Sequence, residues 1–202
     1  MSSTLPEFEG PAVAFLDIGD IPIALLALDA LIKEAPVQLL SSGSVQPGRW
    51  LTLFGGEVES CEMAFNKALS AASGHVVDKV FLPWADPRLV PALLSVRVHQ
   101  PNPGDTLIVL QTQSTPCLIG ALDKALKGAE VSLMQIRAAQ GLGGQAFATL
   151  WGTAHDAEAA QELAQSYCAG RQRTLSSQLI RNADPVVALA LAGGSSFFGA
   201  VS

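Results

Sequence analysis

The chain has 202 residues, of which 49% are hydrophobic and only 15% charged, with a formal net charge of −6. Its mean hydropathy is +0.34, yet its richest apolar stretch, residues 12–32, is interrupted by Asp17, Asp20 and Asp29, and a bilayer-spanning helix needs roughly 20 unbroken apolar residues. Lys and Arg are few and scattered, so neither a membrane span nor the basic footprint of a nucleic-acid binder is expected; an apolar chain of this kind points to large protein–protein contacts.

Residues 1–11 read as an N-terminal extension without the basic and apolar regions of an export signal. A first domain is predicted over residues 12–95. Val13 to Ile18 is a short apolar run, hence a strand. Asp20-Ile21-Pro22 follows, with a good N-cap and a proline suited to a first helical turn. Ile21, Ala24, Leu25, Leu28, Leu31 and Ile32 recur at helical spacing, and Pro36 stops the helix. Val37 to Leu40 and Trp50 to Phe54 predict two more strands, joined by a loop over residues 41–48. A second helix places Val58, Cys61, Phe65, Ala68, Leu69 and Ala72 on one face, with Gly74 at its C-terminal end. Val76 to Leu82 predicts a fourth strand, and a short helix begins near Asp86-Pro87.

A linker over residues 96–105, broken by Pro101, Pro103 and Gly104, leads to a second domain over residues 106–192. The same order recurs there: a strand from Leu107 to Gln111, a cap at Ser114-Thr115-Pro116, and a helix with Leu118, Ile119, Leu122, Ala125 and Leu126 ending at Gly128. Strands over Val131 to Ile136 and Ala146 to Trp151 flank a loop over residues 137–144; Gly170 ends the next helix, Thr174 to Ile180 is a strand, and Asp184-Pro185 opens a short helix. A tail over residues 193–202 carries Phe197 and Phe198.

The recurrence is a duplication. At a shift of 94 residues, Ala27-Leu28-Asp29 meets Ala121-Leu122-Asp123, Lys33 meets Lys127, and Val37 meets Val131. At 96, Gly48 meets Gly144 and Gly74 meets Gly170; at 98, Ala85-Asp86-Pro87 meets Ala183-Asp184-Pro185. Matches kept in order over most of both halves mark tandem copies. The predicted fold class is α+β: two copies of β-α-β-β-α-β-α, each an antiparallel sheet with helices on one face.

Catalytic patterns do not emerge. His75, His99 and His155 are dispersed. Gly141-Leu142-Gly143-Gly144 lies between strands and lacks the Lys-Ser/Thr of a phosphate loop. Asp29 and Asp123, recurring at one place in both copies, read as structural. Cys61, Cys117 and Cys168 are far apart and form no CxxC pair, so neither a metal site nor a disulfide is expected. The residues alone reach a duplicated α+β oligomer, with a regulatory module binding a small molecule between its copies as the main rival; an enzyme lacks a nucleophile with a base beside it.

Ala-Leu-x-x-x-Lys-x-Ala-x-Val, present at Ala27 to Val37 and Ala121 to Val131, between a strand and a strand–Gly-loop–strand, resembles the bacterial microcompartment shell domain, in the non-permuted branch of its tandem-domain, trimeric class. The resemblance implies a structural tile, not an enzyme. Three chains would close into a homotrimeric pseudohexamer, in the shell of a cytoplasmic compartment, edge to edge with hexameric and pentameric shell proteins. Its pore would be lined by Ser42, Gly43, Ser44, Val45 and Gln46 from the first copy, and Ala139, Gln140, Gly141, Leu142 and Gly143 from the second. It would pass small polar metabolites. Lys33 and Lys127 would be tile-edge contacts. The sequence departs from the family pattern in two places. Some members hold an iron–sulfur cluster through a cysteine before Pro-Gly, where this chain has Gln46, a poor iron ligand, so no cofactor is expected. The Arg-Pro-His corner of shell edges is replaced by Trp84-Ala85-Asp86 and Asn182-Ala183-Asp184.

Overall fold

The computed structural model describes residues 8, 10–94, 102, 104–139 and 142–192. Most of the N-terminal extension and linker, His99, the C-terminal tail with Phe197 and Phe198, and the loop residues Gln140 and Gly141 lie outside the described residues. The first copy runs β1 (Ala12–Ile18), α1 (Ile21–Glu34), β2 (Gln38–Val45), β3 (Arg49–Gly56), α2 (Val58–Ala71), β4 (Val76–Leu82) and α3 (Leu89–Leu94). The second repeats it as β5 (Thr106–Thr112), α4 (Thr115–Gly128), β6 (Ser132–Ala138), β7 (Ala146–Gly152), α5 (Ala154–Gly170), β8 (Leu175–Arg181) and α6 (Pro185–Ala192).

The two first helices start alike because their caps are alike. Asp20 Oδ1 accepts the Ile23 N–H at 2.9 Å, and Ser114 Oγ accepts the Cys117 N–H at 3.1 Å. Both caps have φ −134° and ψ 117°, the extended geometry that frees a side-chain oxygen for an orphan helix donor. At the other long helices the copies diverge. Gly74 takes the left-handed turn after α2, with φ 82°, but after α5 that conformation falls to Gln172, with φ 55°. The expected role of Gly170 is thus corrected: α5, with 17 residues against 14 in α2, runs through it, and the left-handed turn falls beyond.

Each copy forms one four-stranded antiparallel sheet, in the orders β2-β3-β1-β4 and β6-β7-β5-β8. Strand alternation sends Ala12, Ala14, Leu16 and Ile18 into a core with α1 and α2, and Val13 and Phe15 to the opposite face. The two long helices of each copy share one face, as expected. The short third helix does not: Leu89 and Val90 of α3 pack with Val13 and Phe15, and Val187 and Leu191 of α6 pack near Leu107 and Val109. That corrects the expectation of all helices on one face. The outer face of the first sheet is apolar and needs cover, which the third helix supplies in part.

The rest of that cover comes from the other copy. Val13, Phe15, Leu51, Leu53, Val80 and Leu82 belong to the same core as Leu118, Ile119 and Leu122 of α4, which packs on β4 and β1. Helix α4 is thereby sandwiched between its own sheet and its neighbour's. Eleven of its fourteen residues are buried; of the fourteen in α1, only three are.

Candidate functional site

Two features of the molecule are built by both copies: the seam along α4 and the paired hairpin turns at one end of the sheets. The seam is polar at both ends. At the C-terminal end of α4, Asp123 Oδ1 accepts the Asp86 N–H of the first copy at 2.8 Å. Its other oxygen pairs with Lys127 Nζ at 2.7 Å, and that ammonium also donates to the Trp84 carbonyl. Arg88 completes this end. It grips Asp86 through Nε at 2.8 Å and Nη2 at 2.7 Å, and donates to the carbonyls of Leu126 at 2.7 Å and Val131 at 2.9 Å. A guanidinium there satisfies carbonyls that a helix end leaves without partners. Burial opposes the ionised form of Asp86, but the Arg88 hydrogen bonds and the charges of Arg88 and Lys127 outweigh it and hold the carboxyl below its usual range.

The N-terminal end of α4 meets Asp78 on β4. Ser114 Oγ donates to Asp78 Oδ2, and Arg171 Nη2 donates to Asp78 Oδ1 at 2.6 Å. Arg173 adds an ion pair at 3.8 Å and a hydrogen bond to the Val77 carbonyl at 2.8 Å. The carboxylate faces a helix N-terminus, where the helix dipole favours negative charge.

Next to Asp78, across the β1–β4 register, lies Asp17. Its side chain is fully buried, with Arg49 Nη1 at 3.0 Å, yet neither carboxylate oxygen makes a hydrogen bond. Burial therefore dominates, with Asp78 adding to it and Arg49 and Arg173 opposing, and the pKa rises from 3.8 to about 6. The native state thus keeps this proton at a pH where the unfolded chain has lost it. Asp17 must lower stability as pH rises from about 4 to about 6, with no further change above. Two pKa units correspond to about 3 kcal/mol. Urea unfolding across that range should show wild type losing stability relative to Asp17→Asn; a constant difference between the two proteins would contradict the assignment.

Arg49 also links the seam to the turns. A Cβ on Gly144 would stand 1.6 Å from Arg49 Nη2, and Gly144 has φ 81°, so only glycine lets the guanidinium lie across the second turn. The turns are thereby brought side by side, with Pro47, Arg49, Gly143 and Gln145 lining one cleft.

Their local structure differs from expectation. Ser42, Gly43, Ser44 and Val45, read as loop, belong to β2 and pair with Thr52, Leu51, Trp50 and Arg49. The Ser42 hydroxyl accepts the Trp50 indole N–H at 2.8 Å and lies 3.1 Å from Thr52 Oγ1. Only residues 46–48 form the turn, closed by Gly48 N to the Val45 carbonyl at 3.0 Å, with φ 84° at Gly48. The second connection is longer, over residues 139–145: Ala139 N donates to the Gln145 carbonyl at 3.0 Å, and Gln145 N to the Leu142 carbonyl at 3.1 Å.

Of the expected lining residues, Ser42, Gly43, Ser44 and Val45 border a cleft with Ala138 of the second copy, Gln46 is exposed, Leu142 is half-buried and Gly143 exposed, and Gln140 and Gly141 lie outside the described residues. Ala139 is fully buried, which removes it from any lining: its left-handed backbone, φ 51°, tucks the methyl group into the core. Lys33 lies exposed at the end of α1, paired with Asp29 at 2.7 Å, while Lys127 is 42% exposed at the seam. The residues that sequence reasoning missed are Asp17, Arg49, Asp78, Arg88 and Arg171. The only signal was their being charged in a chain with few charges.

The three cysteines are all buried, Cys61 in α2, Cys117 in α4 and Cys168 in α5, away from the turns. Burial pushes the Cys61 thiol up to about 12. Among the described residues no group of three or more His, Cys, Asp or Glu is placed to hold a metal, and no helix is long and apolar enough to cross a membrane.

Comparison with known proteins agrees with this geometry. The family model described as the BMC domain matches twice, over residues 12–85 and 106–183. The chain is 29% identical over 145 residues to the bacterial microcompartment shell protein PduT of Citrobacter freundii, covering 72% of this chain and 78% of that one. Among solved structures, a microcompartment protein from Desulfitobacterium hafniense superimposes with a TM-score of 0.76 at 25% identity, covering 87% of this chain and 97% of that one. A fused permuted hexameric shell protein of the RMM microcompartment gives a TM-score of 0.59 at 20% identity, covering 79% and 82%, a likeness of fold. With the family model matched over most of the chain and microcompartment proteins as its relatives, the chain belongs to the BMC domain family, as a tandem-domain structural shell protein of a bacterial microcompartment and not an enzyme.

Proposed function

We propose that three copies of this chain close head to tail into a pseudohexameric tile, with the β2–β3 and β6–β7 turns around a central pore for small polar metabolites. The observation that carries this is the contrast between α1 and α4. Ile119 and Leu126 of α4 are buried on the first copy's sheet; their counterparts Leu25 and Ile32 are 46% and 51% exposed, and Leu26 is 54% exposed. A helix apolar around its circumference needs cover on both sides, and covering these three would contribute about 3–5 kcal/mol. The outer face of the second sheet is the equivalent receptor. A head-to-tail contact of unlike faces propagates until its rotation closes, and a pseudo-sixfold step closes after three chains.

In that ring, Ser42, Gly43, Ser44, Val45, Gln46, Leu142 and Gly143 would stand nearest the axis. Uncharged hydroxyls, amides and backbone groups suit polar solutes. Lys33 and Lys127 would contact neighbouring hexameric or pentameric shell proteins at the rim. The purified chain should sediment as a species of about 63 kDa, three times 21.0 kDa, and Ser44→Trp should lower the permeability of assembled shells to polar solutes. A monomer, or shells indifferent to that substitution, would count against the ring or the pore respectively.

A further inference from the structure

The seam inside the chain has a chemical counterpart on its two uncovered faces, and the two are not copies but exchanges. Resting on the head-to-tail reading, we infer that the interface between chains is held by Ser176 of one chain donating a hydrogen bond to Asp20 of the next. Within the chain, the helix cap Ser114 carries the hydroxyl and the strand residue Asp78 the carboxylate. Position for position, Asp78 faces Asp17 across β1 and Ser176 faces Gln111 across β5, so Ser176 stands where Asp78 stands. Asp20 caps α1 with the same backbone geometry as Ser114. Hydroxyl and carboxylate have changed sides, and the pair remains complementary.

The surrounding charges change with them. Arg171 and Arg173, which serve Asp78, occur on the α5–β8 connection; the equally long α2–β4 connection, Ala72-Ser73-Gly74-His75, which would face Ser176, carries no arginine. Beside Ser176, the buried ion pair Asp17–Arg49 is replaced by a Gln111 to Gln145 amide hydrogen bond of 2.7 Å. At the other end, Asp184 accepts the Val186 N–H at 2.8 Å, as Asp86 accepts that of Arg88 at 3.0 Å. Arg88, which reaches the Leu126 carbonyl, corresponds to exposed Val186, and Leu126 corresponds to exposed Ile32. A polar contact inside the chain becomes an apolar one between chains. Loss of a charge on one face together with its partner on the other identifies the occupant as a second copy of this chain, and distinguishes its seam from the internal one, which limits mispairing.

Sedimentation equilibrium of wild type, Ser176→Asp, Asp20→Ser and the double variant tests this. Ser176→Asp sets two carboxylates against each other and should weaken trimer formation about tenfold or more; adding Asp20→Ser recreates the Ser114–Asp78 arrangement and should restore it. Serine is a sound N-cap, so the rescue variant keeps α1. As a second measurement, Asp20→Cys/Ser176→Cys should form interchain disulfides under mild oxidation, giving a covalent dimer and trimer ladder. A wild-type trimer indifferent to Ser176→Asp, an unrescued double variant, or the cysteine pair remaining monomeric would overturn the seam while leaving the trimer standing. A monomeric wild type would overturn the head-to-tail reading and the seam with it.

Discussion

Leu25→Asp should yield a folded monomer, whereas Ile119→Asp, at the corresponding position of the second copy, should not fold. The two residues occupy the same turn of the same helix in duplicated domains. Ile119 is fully buried between two sheets, and Leu25 is 46% exposed. An unpaired carboxylate at position 119 would cost about 4 kcal/mol or more, a large share of the stability of a chain this size. At position 25 the monomer tolerates the charge, and the cost falls on association alone. Circular dichroism with sedimentation velocity separates the cases. A Leu25→Asp protein that stays trimeric would remove the α1 face from the interface.

The second large effect concerns the internal latch. Asp78 draws Ser114, Arg171 and Arg173 of the second copy onto the first. Asp78→Ala removes the carboxylate these donors share and leaves Arg171, about three-quarters covered, without its charge partner. Breaking a largely buried pair in this way costs about 3 kcal/mol. Urea unfolding of the variant should show that loss; a change under about 0.5 kcal/mol would mean that apolar packing of α4 alone joins the copies.

The duplication and nearly every element were legible because periodicity, caps and breakers agreed in both halves. Asp20-Ile21-Pro22 and Ser114-Thr115-Pro116 mark helix starts through the chemistry of the first turn, which no tertiary context alters. The second half of β2 was not legible. Ser41 to Ser44 is polar, small and unalternating, so it carries no strand period. It becomes a strand through its ladder to β3 and the hydrogen bond from Trp50 to Ser42, contacts that exist only once the hairpin has formed. Ala139 likewise read as a loop residue, because nothing local marks a buried left-handed alanine.

The seam was hidden for a different reason. Helices α1 and α4 are both apolar on more than one side, and nothing within either sequence says that one finds its second cover inside the chain and the other does not. Asp123 read as structural, but its partner Asp86, and the Trp84 carbonyl that Lys127 reaches, lie in the other copy, some forty residues upstream, and Arg88, Arg171 and Asp78 join by the same long-range route. Charged residues that pair across domains leave no periodic trace.

Electron microscopy of the purified protein, averaged without imposed symmetry, addresses the arrangement of the domains directly. The account predicts a flat disc of six lobes with threefold symmetry and both hairpin turns at a central hole. Particles with a twofold axis, or with those turns on the outer rim, would contradict it.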